Sequence, residues 1–150
     1  MKKLILFLFA LTVFGACKKA ETDVQPKSPA QAVAGTYTLT SFRYASGSDE
    51  INLPKMPYTQ SGQTISGTVK LSPSSDDDHV AFSLVLKVTG QQDANIDIDQ
   101  VEVRKTSEAY GLYVDGDLVA DADGSNIIFN LSETDPQTKE SLALSFVAKK

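Results

Sequence analysis

Four aspartates in the second half of the chain could together bind a metal ion. They are Asp115, Asp117, Asp121 and Asp123. Ca²⁺ takes six to eight oxygen ligands, and carboxylates in adjacent loops can supply several of them. The spacing differs from that of an EF-hand, because Asn126 stands where such a loop needs glycine. Aspartate also suits the turns that Gly116 and Gly124 predict. We therefore predict turns and no metal cofactor, with calcium binding as the open alternative.

Groups for other chemistry are scarce, since the chain has a single histidine and a single cysteine. A serine hydrolase needs a histidine held by a carboxylate, and a zinc site needs several histidine or cysteine ligands. His79 directly follows residues 76–78, three aspartates that are typical of a solvated turn. We therefore predict that the protein is not an enzyme.

The charge of the chain argues against one class of partner. Residues 35–150 hold 17 acidic and 9 basic side chains, a net charge of about −8. Because an acidic surface repels phosphate backbones, we predict no nucleic-acid partner.

Cys17 is predicted to carry a lipid anchor. Two lysines and an uncharged stretch of eleven residues, 4–14, precede it. This stretch is too short for a membrane-spanning helix, which needs about 20 residues, but it is typical of a secretory signal peptide. Residues Phe14–Cys17 (Phe-Gly-Ala-Cys) resemble the bacterial lipobox, whose cysteine is lipidated and becomes the new N-terminus. The resemblance implies a signal peptide of residues 1–16. An ordinary signal peptide with an incidental cysteine is the alternative.

The residues after Cys17 indicate where the anchor lies. No aspartate follows the cysteine, and aspartate there resembles a retention signal for the inner membrane. The charged run KKAETD resembles the start of surface lipoproteins from the Bacteroidota. We therefore expect attachment to the outer membrane, facing either the periplasm or the cell surface. Residues 17–34 lack periodicity and contain two prolines, which predicts a flexible tether.

Over the rest of the chain, apolar and polar side chains alternate with a period of two, which predicts β-strands. Eight strands can be counted, and almost all are joined by short turns. The alternation changes phase between Leu39 and Phe42 and again between Ile98 and Val101, which predicts a β-bulge in each strand. Short connections favour an all-β domain, residues 35–150, that closes into an eight-stranded antiparallel up-and-down barrel. A β-sandwich is the alternative.

One connection is long, because residues 45–61 show no period. Loops of that length inside a compact domain are usually functional or disordered. Leu53, Met56 and Tyr58 make this one too apolar for a solvated linker. We interpret these three side chains as an apolar lid over the mouth of the barrel.

The first strand resembles that of the lipocalin-like barrels. In that family Gly-x-Trp opens the first strand, the first loop folds partly over the mouth, and an arginine near the last strand packs across the tryptophan ring. Here Gly35 and Tyr37 stand in the motif, and Lys149 and Lys150 are the cations near the last strand. Residues 34–42 are also similar to the start of small lipocalin-like lipoproteins of the Bacteroidota. We interpret Gly35 and Tyr37 as structural, with Tyr37 a core aromatic at the closed end.

Two functions remain open. An eight-stranded barrel is wide enough either to be filled by its own side chains or to hold one small ligand. Large inward side chains, among them Phe129 and Phe146, would fill it, whereas Gly67 and Ala148 would leave room. We expect the barrel to bind a small apolar or amphipathic molecule beneath residues 45–61. The alternative is a packed barrel that serves as a protein-interaction or scaffold module.

Overall fold

The computed structural model describes residues 27–138 and 140–150. Within them the chain forms one short helix, α1 (Pro29–Val33), and ten strands. The strands are β1 (Gly35–Ser46), β2 (Asp49–Leu53), β3 (Tyr58–Gln60), β4 (Gln63–Pro73), β5 (His79–Val88), β6 (Ala94–Lys105), β7 (Tyr110–Val114), β8 (Asp117–Ala122), β9 (Asn126–Thr134) and β10 (Ser141–Lys149). Burial alternates along most of them, so that one face of each strand contributes to a common core.

Eight of the strands close into a barrel. Neighbouring strands pair in the order β1-β10-β9-β8-β7-β6-β5-β4, and β1 then pairs antiparallel with β4 through Gly35–Thr38 and Thr68–Leu71. The predicted eight-stranded antiparallel up-and-down barrel is therefore confirmed. The β-sandwich alternative is wrong, because a single sheet closes on itself instead of two sheets packing face to face.

The closure covers only one half of β1 and β4. Beyond Thr38, β1 leaves β4 and pairs with β2 through Phe42–Ser46. β4 pairs there with β3 through Gln63–Ile65. The interpretation of residues 45–61 as a connection without strands is wrong in this respect. Four of the five residues of β2 and all three of β3 are exposed, so no apolar alternation marks these strands in the sequence.

Both predicted β-bulges are present. In β1 the pairing with β10 skips Thr40. In β6, Asp99 and Gln100 lie opposite the single residue Ala81 of β5. The bulge in β1 has a further contact, since the Thr40 carbonyl oxygen accepts a hydrogen bond of 2.9 Å from the Met56 N–H. This bond ties the connection between β2 and β3 to the barrel wall.

Helix α1 covers one end of the barrel, which we call the closed end. The Ser28 side chain accepts a hydrogen bond from the Gln31 N–H, and the Gln31 side chain accepts one from the Ser28 N–H, which together form a capping box. Ala30 and Val33 are buried in the core. The Ala30 N–H donates to the Asp77 carbonyl oxygen at 3.0 Å, which fixes the helix to the β4–β5 connection.

The helix lies in the segment predicted as a flexible tether, residues 17–34. In the described part of that segment, residues 29–34 are folded against the barrel, so the tether prediction is wrong there. A helix of five residues is too short to show a helical period in the sequence. Residues 1–26, with the predicted signal peptide and Cys17, lie outside the described residues.

Tyr37 lies next to α1 and is fully buried. Its hydroxyl donates a hydrogen bond to the Val33 carbonyl oxygen. Burial, with the nearby Asp123 carboxylate, raises the pKa of Tyr37. The Nζ of Lys150 lies 5.0 Å from the centre of the Tyr37 ring, a cation–π distance. Lys150 therefore places the positive charge of its side chain near the Tyr37 ring at the closed end.

The middle of the barrel is filled by three aromatic side chains. Phe82, Phe129 and Phe146 are buried, and their ring centres are 4.7 to 6.2 Å apart. Phe129 and Phe146 stack nearly parallel. This phenylalanine cluster separates the closed end from the opposite end of the barrel.

Gly67 gives a test of how tightly this interior is packed. A Cβ added there would lie 2.5 Å from Leu39 Cδ1 and 2.9 Å from Leu86 Cδ2, so the room expected at Gly67 is occupied. Gly67→Val should therefore lower the free energy of unfolding by about 1–3 kcal/mol, measured by urea denaturation. Thr68→Val changes the next residue of the same strand and should alter it by about 0.5 kcal/mol or less. A Gly67→Val variant as stable as the wild type would show that the space is free.

Candidate functional site

A gap opens in the barrel wall at the end opposite α1, which we call the mouth. β7 and β8 have five and six residues, whereas β6 and β9 beside them have 12 and 9. β6 pairs with β7 only through Glu102–Lys105, and β9 pairs with β8 only through Ile127–Phe129. Within the described residues, Ala94–Gln100 of β6 and Asn130–Thr134 of β9 therefore have no partner strand on this side. We call the gap between these two edges the notch.

A cleft of about 550 Å³ lies in the notch. Its apolar lining comes from β6, the β7–β8 hairpin and β9, and it includes Ile98, Val114, Phe129 and Leu131. Leu118 borders the cleft, but its side chain lies on the outer face of the hairpin, beside Tyr113. Phe129 belongs to the phenylalanine cluster, so the cluster forms part of the floor of the cleft. Clefts that hold small ligands have volumes of roughly 300–1,000 Å³ and are mostly apolar. The notch thus has the size and lining of a small-molecule site.

The rim of the cleft is acidic. Asp115, Asp117 and Glu133 line it and are exposed, and none of the described residues that line it is basic. Like charges grouped beside an apolar surface create a negative potential that attracts cations. The arrangement favours a ligand in which a positively charged group is joined to an apolar part.

The three residues predicted to form a lid lie elsewhere. Leu53 ends β2 opposite Phe42 and is buried, as is Met56. Tyr58 is 37% exposed, and its hydroxyl donates to the Gln60 side chain. None of the three lines the cleft in the notch. Leu53 and Met56 instead join the core where β1 and β4 separate.

Asp115, Asp117 and Phe129 line the notch and were noted in the sequence for other reasons, but the rest of its apolar lining was not singled out. Ile98, Val114 and Leu131 each fit the alternation of an ordinary strand, so nothing in their own pattern marks them. A usable signal is strand length, because a hairpin of short strands between longer neighbours leaves part of the wall open. That signal requires strand bounds more accurate than alternation provides.

The four aspartates considered for calcium are divided between the two ends of β8. Asp115, with φ of 52°, and Gly116, with φ of 91°, form the β7–β8 turn at the mouth. Asp123 is in the β8–β9 turn, where its Oδ1 accepts from the Ser125 and Asn126 N–H groups at 2.7 and 2.6 Å. At about 3.3 Å per strand residue, the two turns are roughly 20 Å apart. No group of three His, Cys, Asp or Glu side chains in the described ranges is placed to hold a metal ion.

His79 also lies away from the cleft. It begins β5 at the closed end, with its Nδ1 2.8 Å from Asp78 Oδ1 and 4.0 Å from Asp76 Oδ2. The imidazole and the two carboxylates belong to the connection that holds α1. Of the groups that the sequence marks for chemistry, Asp115 and Asp117 line the cleft, whereas His79, Asp121 and Asp123 lie outside it.

Among the described residues, no helix is long and apolar enough to cross a membrane. Comparisons with protein-family models, with curated proteins and with solved structures found no match. The fold and the cleft define the class of protein. It is an eight-stranded antiparallel β-barrel with a helix over one end and an apolar cleft at the other.

The turn at Asp123 predicts a specific pH dependence of stability. Hydrogen bonds from the Asn126 side chain and from the Ser125 and Asn126 N–H groups hold the pKa of Asp123 below its ordinary value. A carboxyl group with a lowered folded-state pKa stabilises the fold above its unfolded-state pKa, and this contribution is lost as the pH falls through the folded-state pKa. Asp123→Ala should therefore lower the Tm at pH 7, and the difference from the wild type should shrink below about pH 4.

The matched control is Asp121→Ala, which removes an exposed carboxylate from the end of β8, two residues before Asp123. It should change the Tm little at either pH. A Tm difference for Asp123→Ala that is the same at pH 7 and at pH 2.5 would contradict a role for the charged carboxylate in the turn.

Proposed function

We propose that the protein is a lipid-anchored lipoprotein of the bacterial outer membrane, of the lipocalin-like type, that binds a small amphipathic molecule in the notch. The apolar part of the ligand rests on Phe129 and Leu131, and its positively charged group meets Asp115, Asp117 and Glu133. The observation that carries the proposal is the apolar cleft of about 550 Å³, open at the end of the barrel opposite the helix.

The exposure of apolar side chains at the mouth supports a ligand over a fully packed barrel. Ile98, Val114 and Leu131 line the cleft and are only partly buried. Core side chains near the closed end, such as Val69 and Ile127, are fully buried. Burying one such side chain completely contributes roughly 1.5–3 kcal/mol. A ligand that covered several of them would gain enough for micromolar affinity, after the cost of association is subtracted.

The position of the N-terminal segment supports a particular orientation on the membrane. The described chain enters the barrel at the closed end, through α1 and Gly35. A lipid on Cys17 would therefore be joined to the barrel at its closed end, and the orientation that we propose has the mouth directed away from the bilayer. In this arrangement the ligand reaches the notch from the aqueous side, and the protein binds it without chemical change.

Ligand binding can be tested with two detergents of equal chain length and opposite charge. The protein is residues 17–150 carrying Cys17→Ser, and the measurement is isothermal titration calorimetry below the micellar concentration. We expect dodecyltrimethylammonium to bind with micromolar affinity and dodecyl sulfate to bind more weakly, because the rim of the cleft is acidic. Leu131→Ser removes an apolar contact from the cleft and should weaken binding of the ammonium detergent by about tenfold.

Ile128→Ser is the matched control for this variant. Ile128 is 58% exposed and lies on β9 outside the cleft, so it offers a similar apolar surface at a different place. Its replacement should leave the dissociation constant within about twofold of the wild type. Equal losses in the two variants, or no binding of either detergent, would contradict a ligand site in the notch.

The anchor can be tested independently of the ligand by expressing the full chain in a Gram-negative host. The wild type should incorporate labelled palmitate and enter the detergent phase of Triton X-114, because each buried CH₂ of a lipid chain contributes about 0.8 kcal/mol. Cys17→Ser should lose the label and move to the aqueous phase. A wild-type protein without label, or a variant that keeps it, would show that Cys17 is not the lipidated residue.

A further inference from the structure

The β6 side of the notch presents a bare strand edge. On one side Ala94–Ile98 pairs with β5. On the other side Ala94–Gln100 has no partner strand among the described residues, because pairing with β7 begins at Glu102. In an antiparallel ladder, alternate residues direct their N–H and C=O groups to the same side. This edge therefore offers a run of free backbone donors and acceptors, which can template the addition of another strand.

The side chains of the same edge alternate between apolar and polar. Ile96 pairs with the buried Leu84, so it lies on the inward face, yet it is 39% exposed because no strand covers its other side. Ile98 follows on the inward face and lines the cleft. Asp97 lies between the two isoleucines, Asp99 follows Ile98, and both aspartates are exposed. An added strand with the same alternation would cover the isoleucines with one face and meet the aspartates with the other.

Charge selects among the strands that could add to this edge. Asp97 and Asp99 lie on the edge itself, and Asp115 and Asp117 lie at the tip of the neighbouring hairpin. A second copy of the chain would bring the same acidic edge, and like charges directly opposite one another destabilise a strand pair. A strand with lysine or arginine at alternate positions would instead form opposite-charge pairs with β6.

We propose that the protein also binds an extended basic segment of a partner protein, which adds to β6 at Ala94–Gln100 as an extra strand. This interaction goes beyond the binding of a small molecule. It uses the backbone and the outward aspartates of β6, which do not line the cleft, and Ile98 is the one residue of β6 that the two sites share.

Strand addition has a signature that simple charge attraction lacks. The probe is a fluorescein-labelled peptide of seven alternating lysines and valines, capped at both ends, and binding is measured by fluorescence anisotropy to the mature chain carrying Cys17→Ser. Two further peptides carry N-methyl groups on either all lysines or all valines. N-methylation removes the hydrogen-bond donors on one edge of the peptide strand. One methylated peptide should therefore lose at least tenfold in affinity, while the other keeps the affinity of the unmodified peptide.

Two double variants test the place of binding. Asp97→Asn with Asp99→Asn should weaken binding of the unmodified peptide by at least tenfold. Asp76→Asn with Asp77→Asn changes the net charge equally, but in the β4–β5 connection at the closed end, and should alter affinity by less than twofold. A glutamate–valine peptide of the same length should not bind.

Three outcomes would overturn the proposal. Absence of binding would exclude the edge as a docking site for basic strands. Equal binding of the two methylated peptides would show that no backbone ladder forms. Equal losses in the two double variants would show attraction by net charge alone.

Discussion

The pairing of Gly35–Thr38 with Thr68–Leu71 is the constraint on which the rest of the structure depends. β1 and β4 are the two ends of the eight-strand series, so their pairing closes the series into a barrel and removes both of its edges at the closed end. Because it is only four residues long on each strand, β1 and β4 separate towards the mouth, where β2 and β3 cover their edges. Leu53 and Met56 join the core at this split. The side chains that the sequence marks as a lid thus complete the wall of the barrel.

The closed end gathers the contacts that order the interior. Helix α1 places Val33 against the Tyr37 hydroxyl, and Lys150 brings the end of the chain onto the same ring. Beyond them the phenylalanine cluster fills the middle of the barrel. Because the core is concentrated here, the strands at the mouth contribute less to stability. Apolar side chains such as Leu131 stay partly exposed there.

A single geometric feature connects the two proposed functions. The β7–β8 hairpin is shorter than its neighbours, so the wall of the barrel stops early between β6 and β9. The missing wall exposes the apolar interior, which forms the cleft, and it leaves strand edges without partners. The acidic side chains around the gap, among them Asp97 and Glu133, give both places a preference for positive charge. A small cationic amphiphile and a basic strand would therefore approach the same side of the molecule.

The sequence by itself determined the all-β class, the eight barrel strands and both bulges, because each strand buries one face and this alternation is a local property. The phase change between Leu39 and Phe42 brackets the bulge that the structure has at Thr40. The tertiary structure alone decided where the barrel closes and that α1 covers one end. It also decided the site, because the notch arises from the relative lengths of paired strands. Hydrogen bonds between residues distant in the chain set those lengths, and no periodicity within one strand records them.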